Sequence, residues 1–204
     1  MDHEKLRLVL VTNRRTNDID QYIDFVCKCA QWGATCIQLR EKNTDTETRT
    51  AIAESLITRL RKLNVPIIIN DDVCICEKVD ADGVHLGQTD GSVIEARKKL
   101  GSSKIIGWSV YNYDHILLSH ELPIDYIGIG PVFTSSNKAN LAALGLNLLR
   151  KLSEKARHCV VAIGGINEFN VDKVLRCGAD GVACIESIHN SESTYTTIRR
   201  LRLL

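Results

Sequence analysis

The sequence predicts an α/β protein built as a (β/α)8 TIM barrel, and three features of the 204-residue chain lead to this fold. Short apolar runs alternate with longer amphipathic segments along the whole chain, and each kind occurs eight times. Strictly alternating strands and helices indicate a parallel sheet that is covered by helices. Eight such units in about 200 residues lie at the small end of the range for this barrel. We therefore expect a single barrel domain over residues 1–204.

An open, doubly wound parallel sheet is the second fold that fits the same alternation. A dinucleotide-binding sheet of that class carries Gly-x-Gly-x-x-Gly where its first helix begins. The segment that follows the first apolar run reads "NRRTNDIDQY" and contains no glycine. The dinucleotide-binding fold is therefore disfavoured, and the closed barrel is the prediction.

The elements can be assigned in chain order from the apolar runs and the residues that separate them. Gly33 is expected to end the first helix, Asn167 is an N-cap candidate, and Gly178 ends the segment that Asn167 opens. The strands are predicted over residues 6–12, 34–40, 65–70, 82–87, 104–109, 125–130, 159–165 and 180–186. The helices are predicted near residues 17–31, 46–63, 72–79, 91–99, 112–120, 141–156, 167–176 and 191–203.

Charge and hydropathy argue against several classes of function. The chain has 26 basic and 25 acidic residues, and its net charge of +1 argues against a general nucleic-acid-binding surface, which would need a basic excess. No apolar run approaches the roughly 20 residues of a membrane span, and the N-terminal segment lacks a secretory signal pattern. We expect a cytoplasmic protein that binds small molecules and neither nucleic acid nor membrane.

The eight cysteines do not have the spacing of a metal site or a redox motif. None forms a Cys-x-x-Cys pair or a Cys/His set with zinc-like spacing. The pairs Cys27/Cys29 and Cys74/Cys76 lie in predicted helices, where positions i and i+2 face in different directions. We expect reduced, buried thiols that pack as small apolar side chains.

Charged side chains collect where the predicted strands end, at the face that carries the active site in parallel barrels. Arg40, Lys42 and Lys138 are cations suited to phosphate oxygens, since arginine offers a two-pronged donor and lysine a point charge. Asp71 and Asp90 are carboxylates suited to Mg²⁺, which usually takes one or two carboxylates together with substrate phosphates. This combination predicts a diphosphate that is bound together with Mg²⁺.

A second anion site is expected after the seventh strand. Gly164 and Gly165 have no Cβ, so backbone N–H groups at these positions can approach a phosphate closely. Loops after the seventh and eighth strands frequently bind phosphate in these barrels. His85 lies within a strand and is interpreted as a packed, hydrogen-bonded residue rather than a base, and no nucleophile triad is recognisable. Two phosphate-bearing ligands are therefore predicted.

Seven segments, taken in order, resemble the thiamine-phosphate synthase family, also called thiamine-phosphate pyrophosphorylase. The most specific pair is "QLREK" (38–42) and "ADGVHLGQTD" (81–90). The others are "IIND" (68–71), "IGWS" (106–109), "YIGIGPVF" (126–133), "VAIGGI" (161–166) and "ADGVACI" (179–185). The resemblance covers almost the whole chain. It implies a (β/α)8 barrel, usually a homodimer, that couples hydroxymethylpyrimidine diphosphate to thiazole phosphate, uses Mg²⁺ and releases diphosphate.

The resemblance also implies a role for each residue of the site. The expected catalytic residues are Arg40, Lys42, Lys138 and Ser109. The implied ligand contacts are Arg40, Lys42, Asn70 and Lys138 for the diphosphate, Asp71 and Asp90 for Mg²⁺, Gln38 and Ser109 for the pyrimidine, and Gly165, Ile185 and Glu186 for the thiazole phosphate.

Several positions depart from the family pattern. The loop after the sixth strand commonly reads Phe-Pro-Thr-x-Thr-Lys, whereas this chain has "FTSSNK". Thr134 thus replaces the proline, and Ser135 and Asn137 replace two threonines whose hydroxyls serve the diphosphate and the pyrimidine. Glu186 stands where serine is usual, and its carboxylate would repel the thiazole phosphate unless it points outward. The remaining departures are Val9 for tyrosine and Asn13 for aspartate.

Two other functions stay open at this point. A non-synthase relative, such as a thiazole tautomerase or a regulatory protein that binds thiamine precursors, would share the fold. The tautomerase group usually has histidine where this chain has Pro131, and the retained Arg40, Lys42, Asp71 and Asp90 argue against a pure binding protein. An isomerase or epimerase of phosphorylated sugars would need an acid/base pair at the strand ends, and "QLREK" has no role in that chemistry.

Overall fold

The strands form a closed parallel barrel in the computed structural model, which describes residues 3–134 and 142–203. The strands pair in sequence order from the first to the eighth, and the eighth pairs with the first. In that closing pair, Val9 lies opposite Ala183. The predicted (β/α)8 barrel is therefore confirmed, and the open doubly wound sheet is excluded.

All eight strands lie on the predicted apolar runs, and only the fifth extends beyond its run, by one residue. They are short because each spans only the barrel wall between two loops. Their bounds are β1 (Leu8–Val11), β2 (Cys36–Leu39), β3 (Ile67–Asn70), β4 (Gly83–Leu86), β5 (Ile105–Val110), β6 (Tyr126–Ile129), β7 (Cys159–Ile163) and β8 (Gly181–Cys184).

The described residues form nine α-helices, one more than predicted. Eight match the predicted segments, and the additional helix, Glu186–His189, follows the eighth strand directly and is too short to show helical periodicity. Short 3-10 helices cover His3–Leu6 and Arg61–Leu63. The α-helices are α1 (Ile19–Trp32), α2 (Thr46–Leu60), α3 (Val73–Lys78), α4 (Val93–Leu100), α5 (Tyr113–Ser119), α6 (Gly145–Ser153), α7 (Val171–Leu175), α8 (Glu186–His189) and α9 (Thr194–Leu201).

The ends of α1 and α7 show how single residues set helix boundaries. Gly33 ends α1 with a φ of 129°, a left-handed conformation that suits glycine. The prediction that Asn167 is the N-cap of the seventh helix is wrong, because Asn170 occupies that position in α7. The Asn167 side chain instead accepts the Phe169 backbone N–H at 2.9 Å, so it forms a turn before the helix.

Strand alternation divides the core into two layers. Leu8 and Leu10 pack in the outer layer between strands and helices, whereas Val9 and Val11 pack inside the barrel with Tyr126. The inner cluster fills the barrel toward the N-terminal ends of the strands. The C-terminal end therefore stays available for a cavity.

All eight cysteines are unpaired, as predicted. Seven are buried, but Cys74 on α3 is exposed, so the expectation of burial is wrong at that position. Among the described helices, none combines the length and the apolar character that crossing a membrane would require.

Candidate active site

The C-terminal ends of the strands surround a cavity of about 720 Å³. Every predicted site residue that the structure describes lines this cavity, although the residues come from six separate stretches of sequence. These residues are Gln38, Arg40, Lys42, Asn70, Asp71, Asp90, Ser109, Gly165, Ile185 and Glu186. Ser135, Asn137 and Lys138 lie outside the described residues.

Arg40 and Lys42 form the basic side of the cavity. Both follow β2, and alternation turns both side chains inward. The Arg40 backbone N–H donates to Oγ1 of the fully buried Thr12 at 2.9 Å, which fixes the point where the chain leaves the barrel. Burial lowers the pKa of the Arg40 guanidinium, and the nearby carboxylates of Asp71 and Glu186 partly restore it. The guanidinium therefore stays charged beside the acidic side of the cavity.

Asp71 and Asp90 form the acidic side, and their carboxyl groups lie close enough to share a hydrogen bond. Burial, that hydrogen bond and the repulsion from Asp90 raise the pKa of Asp71 to about 6. Asp90 Oδ2 also accepts the Gly87 backbone N–H at 2.7 Å. The repulsion between two such crowded carboxylates is relieved when a cation binds between them. This donor set fits Mg²⁺, which favours oxygen ligands.

The neighbouring residues Asp71 and Asp72 have different roles. Asp71 has a φ of 66°, and its backbone N–H donates to the His85 carbonyl at 2.8 Å. This turn aims the Asp71 side chain into the cavity. Asp72 caps α3 by accepting the Ile75 N–H at 2.9 Å and lies 3.3 Å from the Arg49 guanidinium. Only the first residue of the pair is therefore available to a ligand in the cavity.

A hydrogen-bonded group of side chains forms the floor of the cavity. His85 Nε2 lies 3.0 Å from Ser109 Oγ, and His85 Nδ1 lies 2.9 Å from the hydroxyl of Tyr126. The Gln38 side chain also hydrogen-bonds Tyr126. The prediction that His85 is a satisfied residue is confirmed, but its position in the cavity wall was missed. Alternation was the available signal, because His85 and Ser109 both face inward on adjacent strands.

The glycine pair after β7 is required by the backbone. Gly164 and Gly165 have φ values of 102° and 63°. A Cβ atom on Gly164 would lie 2.6 Å from Cα of Pro131, and one on Gly165 would lie 2.8 Å from the Thr134 carbonyl oxygen. The missing side chains thus allow the loops after β6 and β7 to meet at the cavity rim.

The Glu186 carboxylate is held by residues on the rim. Oε1 accepts from Asn13 Nδ2 at 3.3 Å, and Oε2 accepts from Asn190 Nδ2 at 2.7 Å and from the Arg15 guanidinium. Asn13 and Glu186, two positions that depart from the family pattern, are therefore in direct contact. Arg15 offsets the negative charge that would oppose an anion here.

His189 is a partly buried neighbour of this group. Its Nε2 accepts the Asn13 backbone N–H at 3.1 Å. Burial and the nearby Arg15 lower the pKa of His189 to about 4, so the imidazole is neutral at physiological pH. The hydrogen bond from Asn13 thus ties α8 to the loop after β1.

The chain is similar to known proteins in both sequence and structure. The family model described as thiamine monophosphate synthase matches residues 8–188. A thiamine-phosphate synthase of Chlamydia abortus is 42% identical over 203 residues, which cover 99% of this chain and 96% of that protein. A thiamine-phosphate synthase of Albidiferax ferrireducens is 38% identical over 202 residues, which cover 98% of this chain and 92% of that protein. The thiamine phosphate pyrophosphorylase structure from Pyrococcus furiosus superposes with a TM-score of 0.89 at 34% identity, covering 98% of this chain and 96% of that one.

Proposed function

The chain belongs to the thiamine monophosphate synthase family and is a transferase, a thiamine-phosphate synthase, and we propose that its cavity carries out that reaction as follows. Hydroxymethylpyrimidine diphosphate and thiazole phosphate bind together, the thiazole nitrogen bonds to the pyrimidine methylene, and diphosphate leaves. The observation that carries this assignment of roles is that Arg40 and Lys42 share one cavity rim with Asp71 and Asp90.

The diphosphate would lie between the cations and the paired carboxylates. Arg40 and Lys42 supply positive charge from β2, and Asn70 adds an amide at the end of β3. Lys138, which follows β6 in the sequence, is proposed as a third cation. In a cavity that excludes much water, such charges stabilise a leaving anion more strongly than they would in solution.

Mg²⁺ is proposed to bind at Asp71 and Asp90. Bound there, it would neutralise charge on the departing diphosphate. Burial and the neighbouring Asp90 raise the pKa of Asp71, and a bound cation would relieve the repulsion between the two carboxylates. Asp90 is kept in place by the Gly87 N–H, so it does not have to reorganise.

The organic parts of the two substrates are assigned to the floor and to the opposite rim. Gln38 and Ser109 would contact the pyrimidine ring, and His85 orients the Ser109 hydroxyl. Gly165 and the turn at Ile185–Glu186 would contact the thiazole phosphate, and Ser135 and Asn137, which follow β6 in the sequence, complete the proposed contacts. The Glu186 side chain is drawn toward Arg15 and Asn13, which favours binding of the thiazole phosphate through backbone N–H groups.

The proposed reaction is a dissociative displacement at the pyrimidine methylene. The carbon–oxygen bond to diphosphate breaks first, both electrons leave with the diphosphate, and the amino group of the ring stabilises the cation that forms. The thiazole nitrogen then donates its electron pair to the methylene. The protein positions both partners and stabilises the leaving group, and it supplies no covalent nucleophile.

The assembly and compartment are also proposals. We propose a cytoplasmic homodimer that acts on small molecules and contacts neither nucleic acid nor membrane. Sedimentation equilibrium of the purified protein tests the dimer, and a monomer at micromolar concentration would contradict it.

The test of the proposed function is product formation in mixtures that each lack one component. The complete mixture of protein, both substrates and Mg²⁺ should give thiamine phosphate and diphosphate in equal amounts. Omission of either substrate, or of Mg²⁺, should stop both products. If the protein binds both ligands yet forms no product, a thiamine-precursor-binding or tautomerase function would replace the synthase proposal.

A further inference from the structure

We propose that Glu41 is the positioning residue of the clamp that Arg40 and Lys42 form around the diphosphate. The inference rests on the proposed function, because it assigns the diphosphate to those two cations. Glu41 stands between them in sequence, but it does not line the main cavity. Alternation turns its side chain to the opposite side of the chain, toward α1.

The Glu41 carboxylate is almost completely enclosed and accepts several hydrogen bonds. Its side chain is 3% exposed. The Tyr22 hydroxyl donates to Oε1 at 2.8 Å, and Arg14 Nε donates to Oε2 at 2.8 Å. Thr44 Oγ1 donates to Oε2 at 3.3 Å. Separating a buried carboxylate from its hydrogen-bond donors costs free energy, so these donors hold the Glu41 side chain in one position.

The partners of Glu41 come from three different elements. Tyr22 lies on α1, Arg14 on the loop after β1, and Thr44 at the end of the clamp loop itself. Arg14 is fixed further, because it also donates to Thr44 Oγ1 at 3.0 Å and to the Thr16 carbonyl at 3.2 Å. Burial and the Glu41 charge raise the pKa of Tyr22, so its hydroxyl stays a donor.

This network fixes a segment that has no other regular structure. Residues 40–45 lie between β2 and α2 and belong to neither. The Arg40 N–H bond to Thr12 fixes the start of the segment, and Glu41 fixes its next residue. Lys42, which follows, then projects into the cavity without a described hydrogen bond of its own. A loop that is held before the ligand arrives loses less freedom on binding and binds the ligand more tightly.

The experiment measures binding of inorganic diphosphate in the presence of Mg²⁺ by calorimetry, with the full-length protein. Glu41→Ala should raise the dissociation constant about tenfold, in line with the coupling of residues that share one network. Glu41→Gln keeps the acceptor oxygen and should recover most of the affinity. Tyr22→Phe removes one hydrogen bond to Glu41 without leaving a buried charge unpaired. It replaces Glu41→Ala in the binding measurement if that variant does not fold.

A matched control separates positioning from stability. Arg97 and Asp125 form a comparable ion pair, with 2.6 Å between Nη2 and Oδ2, at the opposite end of the barrel. Arg97→Gln should lower the melting temperature as Tyr22→Phe does, but leave the diphosphate affinity unchanged. In turnover assays, the Glu41 variants should raise KM for the pyrimidine diphosphate and leave KM for thiazole phosphate within about twofold.

The outcomes distinguish this inference from the proposed function. If the wild-type protein forms product and binds diphosphate, but Glu41→Ala, or Tyr22→Phe in its place, binds diphosphate as tightly, the positioning role is overturned and the function stands. Equal losses of affinity in Arg97→Gln and in the Glu41 variants would also overturn it. If the wild-type protein neither binds diphosphate nor forms product, both proposals fall together.

Discussion

The two ends of the barrel use aspartate in opposite ways. At the N-terminal end, Asp82, Asp125 and Asp180 directly precede the even-numbered strands β4, β6 and β8. Each carboxylate accepts a backbone N–H at 2.8 Å, and each residue donates its own N–H to the carbonyl of the same partner. The partners, near the start of the preceding strands, are Ile67, Ile106 and Val160. At the C-terminal end, Asp71 and Asp90 face each other.

This difference separates the part of the barrel that stabilises the fold from the part that binds ligands. Carboxylates paired with backbone donors lower the free energy of the folded state. Two carboxylates that face each other raise the free energy of the folded state when both are charged, and they persist because the surrounding strands hold them. The same residue type thus contributes to stability at one end and to function at the other.

The largest expected effect is the loss of activity in Asp71→Asn. The amide removes one of the two carboxylates proposed to bind Mg²⁺, so turnover should fall at least about a hundredfold, the scale seen when a group that stabilises transition-state charge is removed. The melting temperature at pH 7 without Mg²⁺ should stay the same or rise, because a like-charge contact disappears. Steady-state kinetics and thermal melts check this, and full activity would reject the metal role.

Asp125→Ala should show the reverse behaviour. The substitution leaves the Ile106 N–H without its acceptor and removes the carboxylate that pairs with the Arg97 guanidinium, so the free energy of unfolding should fall by about 1–3 kcal/mol. Turnover per folded molecule should stay near the wild-type value. Denaturant unfolding and an assay at low temperature measure the two quantities, and a large loss of turnover in fully folded protein would contradict the separation of the two ends.

The pH dependence of stability tests the crowding of Asp71 and Asp90. A carboxyl whose pKa is raised in the folded state, here to about 6 for Asp71, binds its proton more tightly when folded than when unfolded. Its stabilising contribution is present below the unfolded pKa of about 4 and is lost as the pH rises through 6. The wild type should therefore lose stability relative to Asp71→Asn as the pH is raised from 4 to 7.

The comparison of the wild type with Asp71→Asn removes the contribution of His189 to the pH dependence of stability. The pKa of His189 is lowered to about 4, so its contribution has the opposite sign and is lost as the pH falls. Both proteins carry His189, and the contribution cancels in their difference. A difference in melting temperature that does not change with pH would contradict the crowding of the carboxylates.

The smallest expected effect belongs to Glu186→Ser. The Glu186 charge is partly offset by Arg15, and exposed charges are screened by solvent. KM for thiazole phosphate should fall by no more than about threefold, the factor that about 0.6 kcal/mol gives. KM for the pyrimidine diphosphate serves as the internal control. A rise in KM for thiazole phosphate would show that Glu186 assists binding.

The strands and the cation–carboxylate rim followed from the sequence because apolar runs and strand ends are local features. The additional helix α8 and the N-cap at Asn170 did not follow, since a four-residue helix has no periodicity and two asparagines compete within one turn. The different roles of Asp71 and Asp72 depend on the φ of 66° at Asp71, which the sequence does not reveal. The contacts of Glu41 join residues that lie up to 27 positions apart, so only the folded chain brings them together.

The most direct test of the account is the binding of diphosphate with and without Mg²⁺ to three proteins: wild type, Asp71→Asn and Asp125→Ala. We expect tight, Mg²⁺-dependent binding by the wild type and by folded Asp125→Ala, and weak binding by Asp71→Asn under every condition. Equal binding by all three proteins, or binding by the wild type that does not respond to Mg²⁺, would contradict the assignment of the C-terminal end as the diphosphate–Mg²⁺ site.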